Sequence, residues 1–141
     1  MAARKTVLVP VDGSPGSLRA LAHACERVRS RRSGSVIALN VQPAMPASRF
    51  APAAAIRDHQ QRMAAEALAK VARVAKREGV EVSQQVAVGP PAAVILREAQ
   101  RLKAGEIVMG TRGMGKLGGL LLGSVASKVV QLSEVPVTLV R

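Results

Sequence analysis

Residues 6–15 read TVLVPVDGSP. Thr6 to Val11 form a run of β-branched and apolar residues with a single proline and no apolar/polar alternation. A strand with one wet face alternates. An unbroken run suits a strand buried on both faces, as in a parallel sheet covered by helices. Asp12-Gly13 then supplies a turn. Ser14-Pro15 supplies a helix start, because the hydroxyl accepts a free N–H of the first turn and proline lacks only an N–H that would go unbonded there. Strand, turn and helix start within ten residues read as the opening half of a βαβ unit.

The rest of the chain repeats that unit. Leu18, Leu21, Ala22, Cys25 and Val28 recur at helical spacing. The basic cluster Arg27–Arg32 suits the negative end of that helix, and Ser33-Gly34 should stop it. Val36–Val41 (VIALNV) predicts a second strand, and Pro43–Pro52 a Pro/Ala loop. Ile56, Met63, Ala67, Val71 and Val74 mark a long helix ended by Gly79. Val80–Val88 predicts a third strand, the stretch after Gly89-Pro90-Pro91 a helix, and Glu106–Met109 a fourth strand. Gly110–Gly123 is a glycine-rich loop, Ser124–Leu132 a short helix, and Val135–Arg141 a last strand. Alternating strands and helices predict an α/β fold, an open parallel sheet with helices on both faces.

At 141 residues the chain is expected to be a single domain, 1–141, with enough length for a real core. Apolar residues make up 48% and charged residues 21%, a globular mixture rather than a disordered one. No charge-free stretch is long and apolar enough for a membrane span, and the start does not resemble a secretory signal. The lone Cys25 excludes an internal disulfide, and two histidines without an HExxH pattern argue against a zinc hydrolase. A soluble cytoplasmic protein is expected. The net charge of +12 implies attraction to anions, but its basic residues look scattered. With no Trp or Tyr and one Phe, base stacking has almost no platform, so nucleic acid is not expected as the main partner.

In open α/β sheets ligands sit beyond the carboxyl ends of strands, near the point where strand order reverses. The loop GTRGMGKLGGLLLGS occupies such an end. Its six glycines allow close backbone approach, successive amides can cradle an anion, and the following helix start suits phosphate. Arg112 and Lys116 add charge. A Walker A loop does not fit, because Lys116 is followed by Leu117. A literal GxGxxG at Gly113–Gly118 lies too near the end of the sequence for a dinucleotide fold. The better description is Gly110-x2-Gly113-x9-Gly123-Ser124.

With VLVPVDGS at 7–14, Gly89-x-Pro91, IVMGTRG at 107–113, GSVASKVV at 123–130 and PVTLVR at 136–141, the chain resembles the universal stress protein family in its ATP-binding branch. It departs at Ala104-Gly105-Glu106, where the family usually has Ala-Asp-Leu. The resemblance covers essentially the whole chain and implies an open five-stranded parallel sheet, Rossmann-like and adenine nucleotide alpha hydrolase-like. It also implies ATP as ligand, often with Mg or Mn, and a homodimer through the last strand, 135–141. By motif position, Pro10, Val11 and Asp12 would line the nucleoside pocket, and Val41 would meet adenine through its backbone. Met109, Gly110, Arg112 and Gly113 would follow ribose and phosphate. Gly123, Ser124, Val125 and Ala126 would hold the phosphates. No catalytic residue and no protein metal ligand is assigned.

The residues themselves leave alternatives open. Asp12 can bond a ligand or close an Asx-turn, or do both. Val41 can be a strand's last core residue, and Ser124 can cap its helix. Thr111, Ser124 and Ser127 are candidate phosphoryl acceptors but have no visible general base. Cys25 should be core, His23 half-exposed and His59 on a polar surface. Phe50 should pack within its loop rather than form a lid. The function expected is a nucleotide-dependent regulatory or stress-response protein with at most slow ATP turnover. The alternatives are an ATP-hydrolysing or adenylyl-transferring enzyme on the same fold, and a basic anion- or nucleic-acid-binding module.

Overall fold

The computed structural model describes residues 5–111 and 122–141. The order is β1 (Thr6–Pro10), α1 (Pro15–Arg31), β2 (Ser35–Gln42), α2 (Ala53–Glu78), β3 (Val82–Val88), α3 (Pro91–Arg101), β4 (Glu106–Gly110), α4 (Ser124–Leu132) and β5 (Val137–Val140). All four strand pairings are parallel, and the sheet order is β3-β2-β1-β4-β5. The chain therefore builds outward from β1 in one direction, then crosses back to β4. The switch point lies between β1 and β4.

Side-chain alternation along β1 divides the core. Val7, Val9 and Val11 pack beneath α1 and α2 with Leu21, Cys25, Val71 and Val74. Leu8 faces the other way, with Leu39, Ile107 and Met109 beneath α3 and α4. Both faces are thus covered, as an unalternating apolar run requires. Cys25 is fully buried, His23 half-buried and His59 exposed. Among the described residues no helix is long and apolar enough to cross a membrane.

Several element ends differ from the sequence expectation. Arg32, at φ 53°, is the left-handed cap of α1, ahead of Ser33-Gly34. Strand β3 begins at Val82 because the Val80 N–H still bonds back to the Ala75 carbonyl of α2. Strand β5 begins at Val137, after Ser133 Oγ has tied off the Val135 N–H and proline removes the donor at 136. Phe50 does not pack within its loop. It is 89% exposed, and its one notable neighbour is the Arg49 guanidinium, 5.8 Å from the ring centre. The small Ala and Pro residues around it build no pocket to receive a ring.

Strand β4 does start at Glu106. The carboxylate is buried, but it is paired: Arg27 Nη1 donates at 2.8 Å and Thr138 Oγ1 lies at 3.4 Å. This ties α1, β4 and β5 together. A buried charge is tolerated when it is paired and hydrogen-bonded in this way.

Candidate functional site

The switch point opens a crevice at the carboxyl ends of β1 and β4. Strand β1 ends at Pro10, half-buried, and Val11 continues its line. The Val11 N–H donates to the Leu39 carbonyl at 2.8 Å. Its own carbonyl accepts from Asn40 Nδ2 at 2.8 Å, and Asn40 Oδ1 in turn accepts from Gln42 Nε2 at 2.7 Å. Asn40 and Gln42 are buried, so this short chain of bonds satisfies their polar atoms and fixes the floor of the β1–β2 end. Neither was singled out from the sequence. The available signal was an Asn within the apolar run VIALNV.

Asp12 is exposed. Its Oδ1 accepts the Ser14 N–H at 2.9 Å, an Asx-turn, while its own N–H points at Ser17 Oγ, 3.3 Å away. Gly13 sits at φ +84°, which L side chains rarely adopt. Ser14 Oγ accepts the Ser17 N–H at 3.2 Å, and Ser17 Oγ donates to the Ser14 carbonyl at 3.0 Å. The turn therefore caps α1 with its own side chains. One carboxylate oxygen of Asp12, Oδ2, has no partner among the described residues.

Across the crevice, Met109 is buried and Gly110 half-buried at the end of β4. A Cβ on Gly110 would lie 3.0 Å from the carbonyl carbon of Gly16 and 3.3 Å from the Ser17 nitrogen. The end of β4 and the first turn of α1 thus touch backbone to backbone, and any side chain at 110 would have to push the Gly16 backbone aside. The Thr111 N–H bonds the Val140 carbonyl at 3.1 Å, and the Gly123 N–H bonds the Thr111 carbonyl at 2.7 Å. Gly123 is thereby returned to the end of the strand that Gly110 closes.

Gly123 is the N-cap of α4, with no side chain to bond the first turn. The first helical bond runs from the Ser127 N–H to the Gly123 carbonyl at 2.9 Å. Ser124, Val125 and Ala126 precede it, so their N–H groups have no acceptor within the helix. Ser124 is exposed, Val125 half-buried and Ala126 buried. Val41, at the carboxyl end of β2 and paired with Ala87, packs on the α3/α4 side together with Met109, Val125 and Ala126. Pro10, two residues from Leu8, shares that side by strand alternation. Arg112 and Gly113 lie outside the described residues. Among the described residues no three His, Cys, Asp or Glu side chains cluster as a metal site.

The sequence profile of the universal stress protein family matches residues 3–141. The chain belongs to that family. A universal stress protein of Methanocaldococcus jannaschii is 32% identical over 139 residues, covering 97% of this chain and 82% of that protein. Other relatives are longer: this universal stress protein spans about half (46%) of one from Mycolicibacterium smegmatis, at 34% identity and 98% of its own length. A solved universal stress protein in complex with cAMP superposes with a TM-score of 0.75 at 29% identity, covering 99% of each chain. An Arabidopsis thaliana family member with AMP bound gives a TM-score of 0.69 at 25% identity, covering 96% of this chain and 90% of that one. The five-stranded parallel α/β fold is shared with these structures.

Proposed function

We propose that this universal stress protein binds an adenine nucleotide, ATP by preference, in the crevice between β1 and β4, and that residues 1–141 act as one such domain. The observation that carries the proposal is the first turn of α4. Three N–H groups there lack helical acceptors, beside the carboxyl end of β4 and without a side-chain cap. Such a turn carries partial positive charge and accepts phosphate oxygens. Two family members solved with cAMP and with AMP lend support.

In this reading Gly123, Ser124, Val125 and Ala126 hold the phosphates by backbone donors. Pro10, Val11 and Val41 border the nucleoside, with Val41 offering backbone to the adenine edge. Met109, Gly110, Arg112 and Gly113 follow the ribose and first phosphate. Asp12 uses Oδ1 in its turn and turns Oδ2 to a sugar hydroxyl or to metal-bound water. The donor set suits Mg or Mn carried on a triphosphate, since Mg is commonly held by one or two carboxylates together with phosphates and water. Asp12 is the carboxylate available for that, and the metal would offset phosphate charge.

Output comes from binding and from a homodimer formed through the last strand, 135–141, as a stress-response regulator with at most slow turnover. Calorimetric titration with ATP and Mg tests the proposal. Saturation near 1 μM, about −8 kcal/mol, is expected. Absence of heat, with no nucleotide released on denaturation, would remove ATP. Robust multiple-turnover release of ADP or AMP would move the reading to an enzyme.

A further inference from the structure

The pole of the sheet opposite the crevice gathers cations that are far apart in the sequence. Helices α1 and α2 cover the same face and run antiparallel to the strands, so their carboxyl ends reach that pole together. They are tied there. Arg29 Nη1 donates to the Glu78 carbonyl at 2.6 Å and to Glu78 Oε1 at 3.3 Å. Lys5 joins them: its carbonyl accepts the Ser35 N–H at 3.2 Å, just beyond the end of α1.

The pole therefore holds Arg27, Arg29, Arg31 and Arg32 from the end of α1, Arg73, Lys76 and Arg77 from the end of α2, and Lys5. Four carboxylates lie at the same pole: Glu26 and Glu78 in the two helices, Glu81 just before β3 and Glu106 at the start of β4. Eight cations against four anions leave a local surplus of four. The pairing is uneven. Glu106 takes Arg27 and, at 3.9 Å, Arg31. Glu78 takes Arg29 and Arg77. Lys5, Arg32, Arg73 and Lys76 are exposed and have no carboxylate within 4.0 Å among the described residues. Basic residues in a last helical turn do favour the helix. That effect fades within one turn and does not call for a surplus spread over two helices and a strand end.

From this juxtaposition we propose that the α1–α2 pole docks on the phosphate backbone of duplex nucleic acid, without reading its sequence. Arginine's planar fork suits phosphate oxygens. Contacts of this kind position a protein on the backbone and carry no base information. The virtual absence of aromatic residues disfavours single strands, whose binding leans on stacked bases. An anionic membrane is the weaker fit. Among the described residues the exposed large apolar ones are Met45, Phe50, Val86, Val88, Val130, Leu132 and Leu139, and none of these belongs to this pole's segments. Interfacial binding gains much of its strength from such buried apolar groups.

The test is fluorescence anisotropy of the full chain with a short labelled random-sequence DNA duplex. Neutralising about four phosphates predicts a slope of log K against log salt near −3.6, roughly a hundredfold loss between about 50 and 200 mM salt. The triple variant Arg32→Asn/Arg73→Gln/Lys76→Gln should cut affinity at least about 30-fold at low salt and flatten the slope by about 2.7. Asn is chosen at 32 because it tolerates the left-handed conformation there. The control Arg49→Gln/Arg57→Gln/Arg62→Gln removes the same charge from the opposite end and should change affinity less than about threefold, as expected when those residues contact no phosphate. All six positions are exposed, so both variants should melt with the parent. Equal losses in the two variants would reduce the effect to net charge and overturn the proposal. So would failure to saturate at low salt, or tighter binding to phosphatidylserine vesicles than to duplex.

Discussion

Two strand-to-helix turns face each other across the crevice, and they satisfy their backbones in opposite ways. After β1, side chains do it: Asp12 Oδ1 takes the Ser14 N–H, and Ser14 Oγ takes the Ser17 N–H. After β4, backbone does it: the Gly123 N–H donates to the Thr111 carbonyl, and the first turn of α4 is left without a side-chain cap. Among the described residues the first turn keeps only the Gly16 N–H and one carboxylate oxygen of Asp12 unengaged. The second leaves the Ser124, Val125 and Ala126 N–H groups without acceptors among the described residues. Both turns lie at the same end of the sheet, so the proposed preference of phosphate for the α4 turn rests on local sequence, Ser14 in one case and Gly123 in the other.

The sharpest way to break this contrast is to remove a donor from the open turn while leaving the helix intact. Ser124 is the first helical residue, and Gly123 before it is extended at φ −60°, ψ 156°, a conformation that accepts a following proline. Ser124→Pro therefore deletes one N–H at little structural cost. A hydrogen bond to a charged group contributes about 1.5–3 kcal/mol. ATP affinity should fall at least about tenfold with melting nearly unchanged. An unaltered titration curve would mean that phosphate does not use this turn.

Gly110→Ala attacks the contact between the two turns. The added Cβ meets Gly16 backbone at 3.0 Å, and backbone cannot step aside as a side-chain tip can. Overpacking of this kind costs about 1–3 kcal/mol. Urea unfolding should show that loss together with weakened nucleotide binding. Ser14→Ala is the mirror of Ser124→Pro. Losing the cap of α1 should cost about 1 kcal/mol of stability. Nucleotide affinity should stay put, and a parallel loss of affinity would show that the closed turn also serves the ligand.

The smallest effect comes from beneath the closed turn's helix. Burial, helped by the Glu78 charge and opposed by Arg29, pushes the Cys25 thiol up to about 11. In the unfolded chain it ionises near its ordinary value of about 8.5. Between those values the folded state keeps a proton that the unfolded state gives up, so stability declines as pH rises through that window. Cys25→Ala should flatten the decline relative to the parent, whatever its effect on stability at neutral pH. An identical slope in both proteins would leave the thiol out of it.

Much of the fold was legible because its signals are local. The apolar runs at 6–11 and 36–41, Ser14-Pro15 and Gly79 each act within a few residues, and the structure places a strand, a cap or a stop at each. What was not legible depends on partners distant in sequence. The acid of Glu106 looked out of place at a strand start until Arg27, 79 residues away, supplied its charge partner. Asn40 needed the Val11 carbonyl to explain a polar atom inside the sheet. The basic residues looked scattered because their common pole is created by two helices folding onto one face. Phe50 failed differently, since apolar character predicts burial only where neighbours can enclose it. For the candidate site, the sequence pointed to Asp12 and the helix start at Ser124 and left an Asx-turn open at Asp12, and the structure shows that turn formed.

The most direct test of the central claim is to watch the amides themselves. In a nitrogen-15-labelled sample titrated with ATP and Mg, the Ser124, Val125 and Ala126 N–H resonances should shift most, saturating with the calorimetric curve, while Ser17, bonded to Ser14 Oγ, should move little. Saturable binding with those three resonances unmoved, and shifts concentrated elsewhere, would contradict the assignment of phosphate to the α4 turn.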